Sequence, residues 1–216
     1  MIPSWAKEGK IAQKLINARA ETVTEKPAFR KCLERQRCLI LADGFYEWRR
    51  EGKVKVPFFI RRRGGLPFGL AGLWDEWGGE QEGGEQERGE QEKGERGKGE
   101  RGRQGGRVRT CTIITTEANA LVRTIHERMP VLLTGEACRA WVDEKVAGRE
   151  AVGLLGPYAA EEMEMYRVSG RVNSALVEGA ELVERVREEQ ERGEQEKGEQ
   201  KRGGKGKKRE EPGLWG

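Results

Sequence analysis

Between Gly78 and Arg107 the chain uses only Gly, Glu, Gln, Lys and Arg. The stretch reads as pentads: GEQEG from Gly79, GEQER from Gly84, GEQEK from Gly89, GERGK from Gly94 and GERGR from Gly99. The same pentad returns near the end as GEQEK from Gly193 and GEQKR from Gly198. A segment without apolar side chains cannot offset the entropy of ordering itself. Residues 78–107 and 188–216 are therefore expected to be a disordered insert and a disordered charged tail. The period is too short and too polar for a solenoid. Residues 1–77 and 108–187 are left to build the core, enough chain for one domain. The insert then reads as a long hairpin connection between Trp77 and Val108, since closure entropy grows only slowly with loop length.

Charge is uneven across the two folding pieces. Residues 1–77 carry 16 Lys and Arg against 9 Asp and Glu, a net +7, whereas residues 108–187 carry 10 against 12, a net −2. Together with six tryptophans, a basic first half suits a nucleic acid, where cations meet phosphates and rings stack on bases. A merely soluble basic surface fits the composition equally well. The four cysteines, Cys32, Cys38, Cys111 and Cys138, form no C-x-x-C pair and have one histidine to help them. No metal site and no cofactor are expected, and a reducing compartment is the simplest account. The start carries no signal segment, and no apolar run approaches the roughly 18 residues of a membrane span. A cytoplasmic chain without a membrane partner is expected.

The element pattern is irregular. Lys7–Lys14 is polar and helix-compatible. Pro27 opens a short helix, PAFRKCLERQ, with Phe29 and Leu33 spaced for one face. Strands are predicted at Cys38–Leu41, Gly44–Trp48, Val56–Arg61, Leu66–Trp77, Val108–Thr116, Val131–Leu133 and Met163–Val168. A short helix is predicted at Glu117–Ile125, interrupted by His126–Pro130, and Thr134 reads as the N-cap of a helix over Gly135–Val142. Strands outnumber helices and do not alternate with them, which points to α+β with antiparallel sheets rather than a wound βαβ fold.

Three groups of residues invite chemistry. In LILADGFYEW, Leu39–Trp48, the Asp43-Gly44 turn signal precedes an aromatic run interrupted by Glu47. A carboxylate among aromatics is either turned to water or held in a pocket and used in acid–base work. His126, the sole histidine, stands beside Arg128, whose guanidinium can grip a phosphate by two parallel bonds. A satisfied structural histidine is the competing reading. Asn17 and Arg19 share a side if Ile16–Ala20 is extended. They then either present an amide and a guanidinium to an oxygen-rich ligand or are two surface polar residues.

IPSWAK with INARAET, then ADGFYEW, then TTEANALVRTIHERMPVLL occur in this order. Together they resemble the SRAP family (SOS response-associated peptidase), also called abasic site processing proteins. RVNSALVEGAELVERV is similar to the family's C-terminal segment. The resemblance covers 2–77 and 108–187. It implies an α+β fold of antiparallel sheets curled into a barrel-like body with short helices, a single domain of 1–77 and 108–187, and a basic groove for single-stranded DNA. It also implies a DNA-damage (SOS) role in which an N-terminal cysteine, exposed by autoproteolytic removal of Met, captures the aldehyde of an abasic site. The amine forms an imine and the thiol closes a thiazolidine, a covalent protein–DNA linkage with peptidase-like and lyase-like chemistry. Asn17, Glu47 and His126 match the family's catalytic asparagine, carboxylate and histidine. Arg19 and Arg128 match its phosphate-binding arginines, and Trp5 lies where it packs on DNA bases. A nucleoid-associated monomer is implied.

The match also has a gap. The family begins with Met-Cys-Gly-Arg, some tens of residues before the segment that leads into Ile-Pro-Ser-Trp, and this chain begins at Met1-Ile2-Pro3. No internal cysteine can replace the terminal one, because a thiazolidine needs a free amine and a thiol on one residue. The sequence as written is therefore expected not to form the crosslink itself. It reads either as the clipped form of a complete enzyme or as a non-covalent single-stranded-DNA binder or inactive fragment.

Overall fold

The computed structural model describes residues 1–79 and 107–186. The strands are β1 (Asn17–Arg19), β2 (Arg37–Ala42), β3 (Phe45–Glu51), β4 (Val54–Arg62), β5 (Phe68–Trp77), β6 (Val108–Glu117), β7 (Arg128–Pro130), β8 (Leu132–Leu133) and β9 (Met163–Arg167). The helices are short: α1 (Pro27–Arg35), α2 (Gly135–Val142) and the single turn α3 (Gly148–Ala151), with several 3-10 turns. The fold is mixed α+β, with two sheets and few helices.

The chain divides into two compact units. The first takes Met1–Phe45 and Arg61–Glu164, the second Tyr46–Ile60 and the chain from Met165 onward. The first unit holds a six-stranded sheet along the path β1-β6-β5-β2, with β7 added to β6 and β8 to β5. The second holds most of a three-stranded sheet, β3-β4-β9. The Asp43-Gly44 signal marks the place where the chain leaves one sheet at Ala42 and enters the other at Phe45.

The long hairpin is present as the sequence predicts. β5 and β6 are antiparallel and remain paired to their ends, with Trp77 opposite Val108. The pentad stretches themselves, and the disorder expected of them, lie outside the described residues except for Gly78, Gly79 and Arg107. On β5, Gly72 is required by close approach. A Cβ there would meet Ile40 Cδ1 at 2.3 Å and the Thr112 carbonyl at 3.0 Å.

The first unit's core lies between its sheet and the helices. Pro at the first position starts α1, whose Phe29, Cys32 and Leu33 are buried with Ala71, Leu73, Ile114, Val131, Leu133 and Trp141. Trp141 is fully buried on α2, and its indole N–H donates to the Cys38 carbonyl at 2.9 Å. Arg37, first residue of β2, ties the helix ends together. Its guanidinium donates to the carbonyls of Leu33, Glu34, Trp141, Asp143 and Val146. All but Val146, in the loop after α2, lie at the C-terminal ends of α1 and α2, where carbonyls lack helical partners and positive charge is favoured.

Three expectations need correction, and a fourth is met in part. β1 runs parallel to β6, with Asn17 opposite Ile113 and Arg19 opposite Thr115, so the sheet is not wholly antiparallel. The helix predicted over Glu117–Ile125 is replaced by the end of β6 and a 3-10 turn at Val122–Thr124. Asn119 accounts for this: its side-chain oxygen accepts the Val122 N–H and its amide donates to the Tyr158 carbonyl, local bonding that competes with a helix. The His126–Pro130 break contains β7, which pairs with β6, while Val131 donates to Ile114 of β6 and accepts from Ala71 of β5. Lys7–Lys14 contains a 3-10 turn, Gly9–Lys14, with no buried residue to drive a longer helix. Thr134 does occupy the N-cap position of α2, although its hydroxyl makes no capping bond.

In the second unit an aromatic row follows the three strands. Tyr46 stands 5.3 Å from Phe59, Phe59 stands 5.9 Å from Tyr166, and Val172 and Val183 pack against this cluster.

Candidate functional site

β1 is three residues long with an exposed–buried–exposed pattern. Ala18 enters the core at 1 % exposure, so Asn17 and Arg19 project together on the opposite face. Register carries that face across the sheet: Arg19 lies beside Thr115, and Thr115 beside Pro130 of β7. The condition on which Asn17 and Arg19 share a side, an extended backbone, is met over Asn17–Arg19.

Arg128 enters the same region from β7, where it lies opposite Glu117. Its guanidinium is engaged on several sides. Nη1 and Nη2 donate to the two carboxylate oxygens of Glu21 at 2.8 and 3.0 Å. Nη2 also donates to the Thr115 carbonyl at 2.7 Å and hydroxyl at 3.2 Å. Glu21 sits in the 3-10 turn Ala20–Thr22 that directly follows β1. The hydrogen bond from Arg128 holds the Glu21 carboxyl below the ordinary glutamate range, and the charge of Arg19 adds to the effect. Arg128, expected to grip a phosphate by two parallel bonds, makes its two-pronged grip here on a carboxylate of the same chain.

His126 is exposed in the loop before β7. Its backbone N–H donates to Val122. Its Nδ1 lies 3.1 Å from the Arg128 N–H and 2.9 Å from the Arg128 carbonyl. A neutral Nδ1 can accept that N–H, and a protonated Nδ1 can donate to that carbonyl. The loop therefore offers the ring a partner in either protonation state.

Trp5 lies at the other end of the β5–β6 pair. It is 60 % exposed although its segment is anchored. The Ile2 N–H donates to Thr110 Oγ1, the Ser4 N–H to Asp75 Oδ2, and the Trp77 indole N–H to the Ala6 carbonyl. Asp75, 7 % exposed, also accepts from the Gln36 side chain and the Glu76 N–H. Neither Asp75 nor Glu21 stood out in the sequence, since a carboxylate that serves a partner distant in the chain leaves no local pattern.

Glu47 belongs to the second unit, on β3, and is half-buried. Its Oε1 accepts the Trp48 N–H at 3.1 Å, and the Trp48 indole donates to Asn173 at 2.7 Å. The structure thus brings Asn17, Arg19, His126 and Arg128 to one region of the first unit, and Glu47 to a strand of the second. Cys32 is buried and Cys38 half-buried, and burial pushes both thiols up to about 11, away from thiolate character.

The family model for "SOS response associated peptidase (SRAP)" matches residues 1–175. The chain belongs to the SRAP family. Among SRAP relatives, the abasic site processing protein YoaM of Bacillus subtilis is 42 % identical over 186 residues, covering 85 % of this chain and 72 % of that one. The abasic site processing protein YedK of Escherichia coli is 31 % identical over 174 residues, covering 80 % and 68 %. HMCES of Gallus gallus, also named an abasic site processing protein, is 34 % identical, with 81 % of this chain and 52 % of that one covered. The crystal structure of a Bacteroides thetaiotaomicron protein superposes with a TM-score of 0.70 at 28 % identity, over 87 % of this chain and 74 % of the other. No helix among the described residues is long and apolar enough to cross a membrane.

Proposed function

We propose that this SRAP protein recognises abasic sites in single-stranded DNA. The observation that carries the reading is the shared exposed face of Asn17 and Arg19 on β1, with Arg128 and His126 in the same region. The relatives' names supply the substrate class. Arg19 and Arg128 would meet the phosphates flanking the lesion. Asn17 would orient the reacting group by hydrogen bonds, and His126 would assist opening of the abasic sugar to its aldehyde. Glu47 would serve as the acid–base carboxylate for the attacking amine, and Trp5 would stack on a neighbouring base. The reading includes a first-unit sheet curled toward a barrel, with the open face of β1 and β6 flooring a basic groove.

The covalent step proposed for the family needs an N-terminal cysteine. Its amine attacks the C1′ aldehyde and one water leaves as the imine forms. The thiol sulfur then adds to the imine carbon while its proton passes to nitrogen, which closes the thiazolidine. Cys32, Cys38, Cys111 and Cys138 cannot do this, because their nitrogens lie in peptide bonds. Covalent capture would need that terminal cysteine, and the residues named above would supply recognition and proton transfer.

The test compares oligonucleotides with and without one abasic site, single- and double-stranded, by fluorescence anisotropy across a salt series. Tighter binding of the abasic single strand is expected, with affinity falling steeply with salt as phosphate counterions are released. Equal affinity for all the oligonucleotides, or a flat salt dependence, overturns the reading. A denaturing gel separates the covalent form, whose complex survives heat and detergent, from a purely non-covalent binder.

A further inference from the structure

We infer that Glu21 is a positioning residue for His126, acting through the guanidinium and backbone of Arg128. The inference rests on the role proposed above for His126. The chain of contacts is continuous within the first unit. Both carboxylate oxygens of Glu21 engage Arg128, at 2.8 and 3.0 Å. The same Arg128 Nη2 reaches the Thr115 carbonyl and hydroxyl at 2.7 and 3.2 Å, which fixes the side chain over β6. The Arg128 backbone in turn presents both its N–H and its carbonyl to His126 Nδ1.

A guanidinium held at two ends is a strut. It cannot rotate about its long side chain without breaking several charge-assisted bonds at once. The backbone of Arg128 is already paired with Glu117 of β6, and the strut adds a second restraint on the residue whose N–H and carbonyl meet the imidazole. Two of the three guanidinium nitrogens of Arg128 are thereby engaged by the protein, and Glu21 sets which edge of the guanidinium a DNA phosphate can approach. Glu21 lies inside the INARAET stretch, two residues after Arg19. Its place in a turn immediately after β1 is what lets it reach back across Thr115 to β7.

The chain has one histidine, so its ring nitrogens give a single unambiguous pair of 15N resonances. The experiment records them in untagged parent protein, in Glu21→Gln and in Thr115→Val, without DNA. Glu21→Gln keeps the shape and removes the charge that anchors Arg128. The Nδ1 resonance is expected to move toward the averaged position of a free imidazole, with a smaller move in the same direction for Thr115→Val. A Nδ1 resonance unmoved within its line width in both variants overturns the proposal. Should Glu21→Gln not fold, Thr115→Val, a same-shape change at a half-buried strand position, decides alone by the same criterion.

A second arm uses abasic and intact single strands. In a form that carries the terminal cysteine, Glu21→Gln is expected to slow crosslinking about tenfold, within what a small misplacement of a reacting group costs. Affinity for the intact strand should hold or rise, since a carboxylate leaves the neighbourhood of Arg19 and Arg128. Loss of intact-strand affinity with an unchanged crosslinking rate overturns the positioning role. If the parent itself shows no preference for abasic DNA, the functional reading falls, while the resonance still decides whether Glu21 positions His126.

Discussion

At the scale of the residue, Glu47 is the sharpest test of the proposed chemistry. Its carboxylate accepts the Trp48 N–H on a half-buried strand, so Glu47→Gln keeps the shape and a hydrogen-bonding oxygen while removing the charge and the capacity for proton transfer. In a form bearing the terminal cysteine, crosslinking is expected to slow by roughly 10²-fold or more, a common general acid–base contribution. Non-covalent DNA affinity should change little. A crosslinking time course on denaturing gels measures this, and a parental rate would leave Glu47 as an ordinary strand residue. His126→Ala should slow the reaction more for a closed-ring abasic sugar than for a pre-opened aldehyde, because its proposed work is ring opening.

At the scale of the element, Arg37 holds α1 and α2 against β2. Its five carbonyl partners come from the last turns of two helices and the loop after α2. Its guanidinium also lies 5.8 Å from the centroid of the buried Trp141 ring. Arg37→Ala leaves those carbonyls without their donor and is expected to cost about 3 kcal/mol, since bonds to charged groups contribute more than neutral ones. Arg37→Lys should recover only part, because an ammonium cannot span the same fork. Urea denaturation reads both, with the midpoint shifted and the slope unchanged. A loss under about 0.5 kcal/mol, the level of an ordinary surface substitution, would mean that the helices are held by their apolar faces alone.

At the scale of the whole molecule, the pentad insert hangs from a completed hairpin. Trp77 pairs with Val108, so removing residues 79–106 joins Gly78 to Arg107 as a two-residue turn. Gly in the first position of such a turn suits the type II′ geometry that hairpins favour. The shortened protein is expected to fold with unchanged or slightly raised stability and to keep its DNA affinity within about twofold, as the near-balanced charge of the insert contributes little net attraction. Anisotropy with the same abasic strand checks it. A large loss of affinity would make the insert a DNA-binding arm.

Much of this arrangement was legible in the chain. The absence of apolar residues in 78–107 marked the stretch that separates β5 from β6. Alternation and β-branched content gave most strands within two residues, and Pro27 with the Phe29–Leu33 spacing gave α1. The motif order pointed to the family, and period two places Asn17 and Arg19 on one face once Ile16–Ala20 is taken as extended. These are local properties, carried by neighbours in sequence. The helix predicted after β6 failed because Asn119 bonds to Tyr158, far along the chain. The parallel partner of β1, the strand hidden in the His126–Pro130 stretch, the Arg37 clasp and the Glu21–Arg128–His126 chain also rest on pairings between distant segments. No periodicity or composition records them, since the free energy of such contacts exists only once the chain has closed on itself.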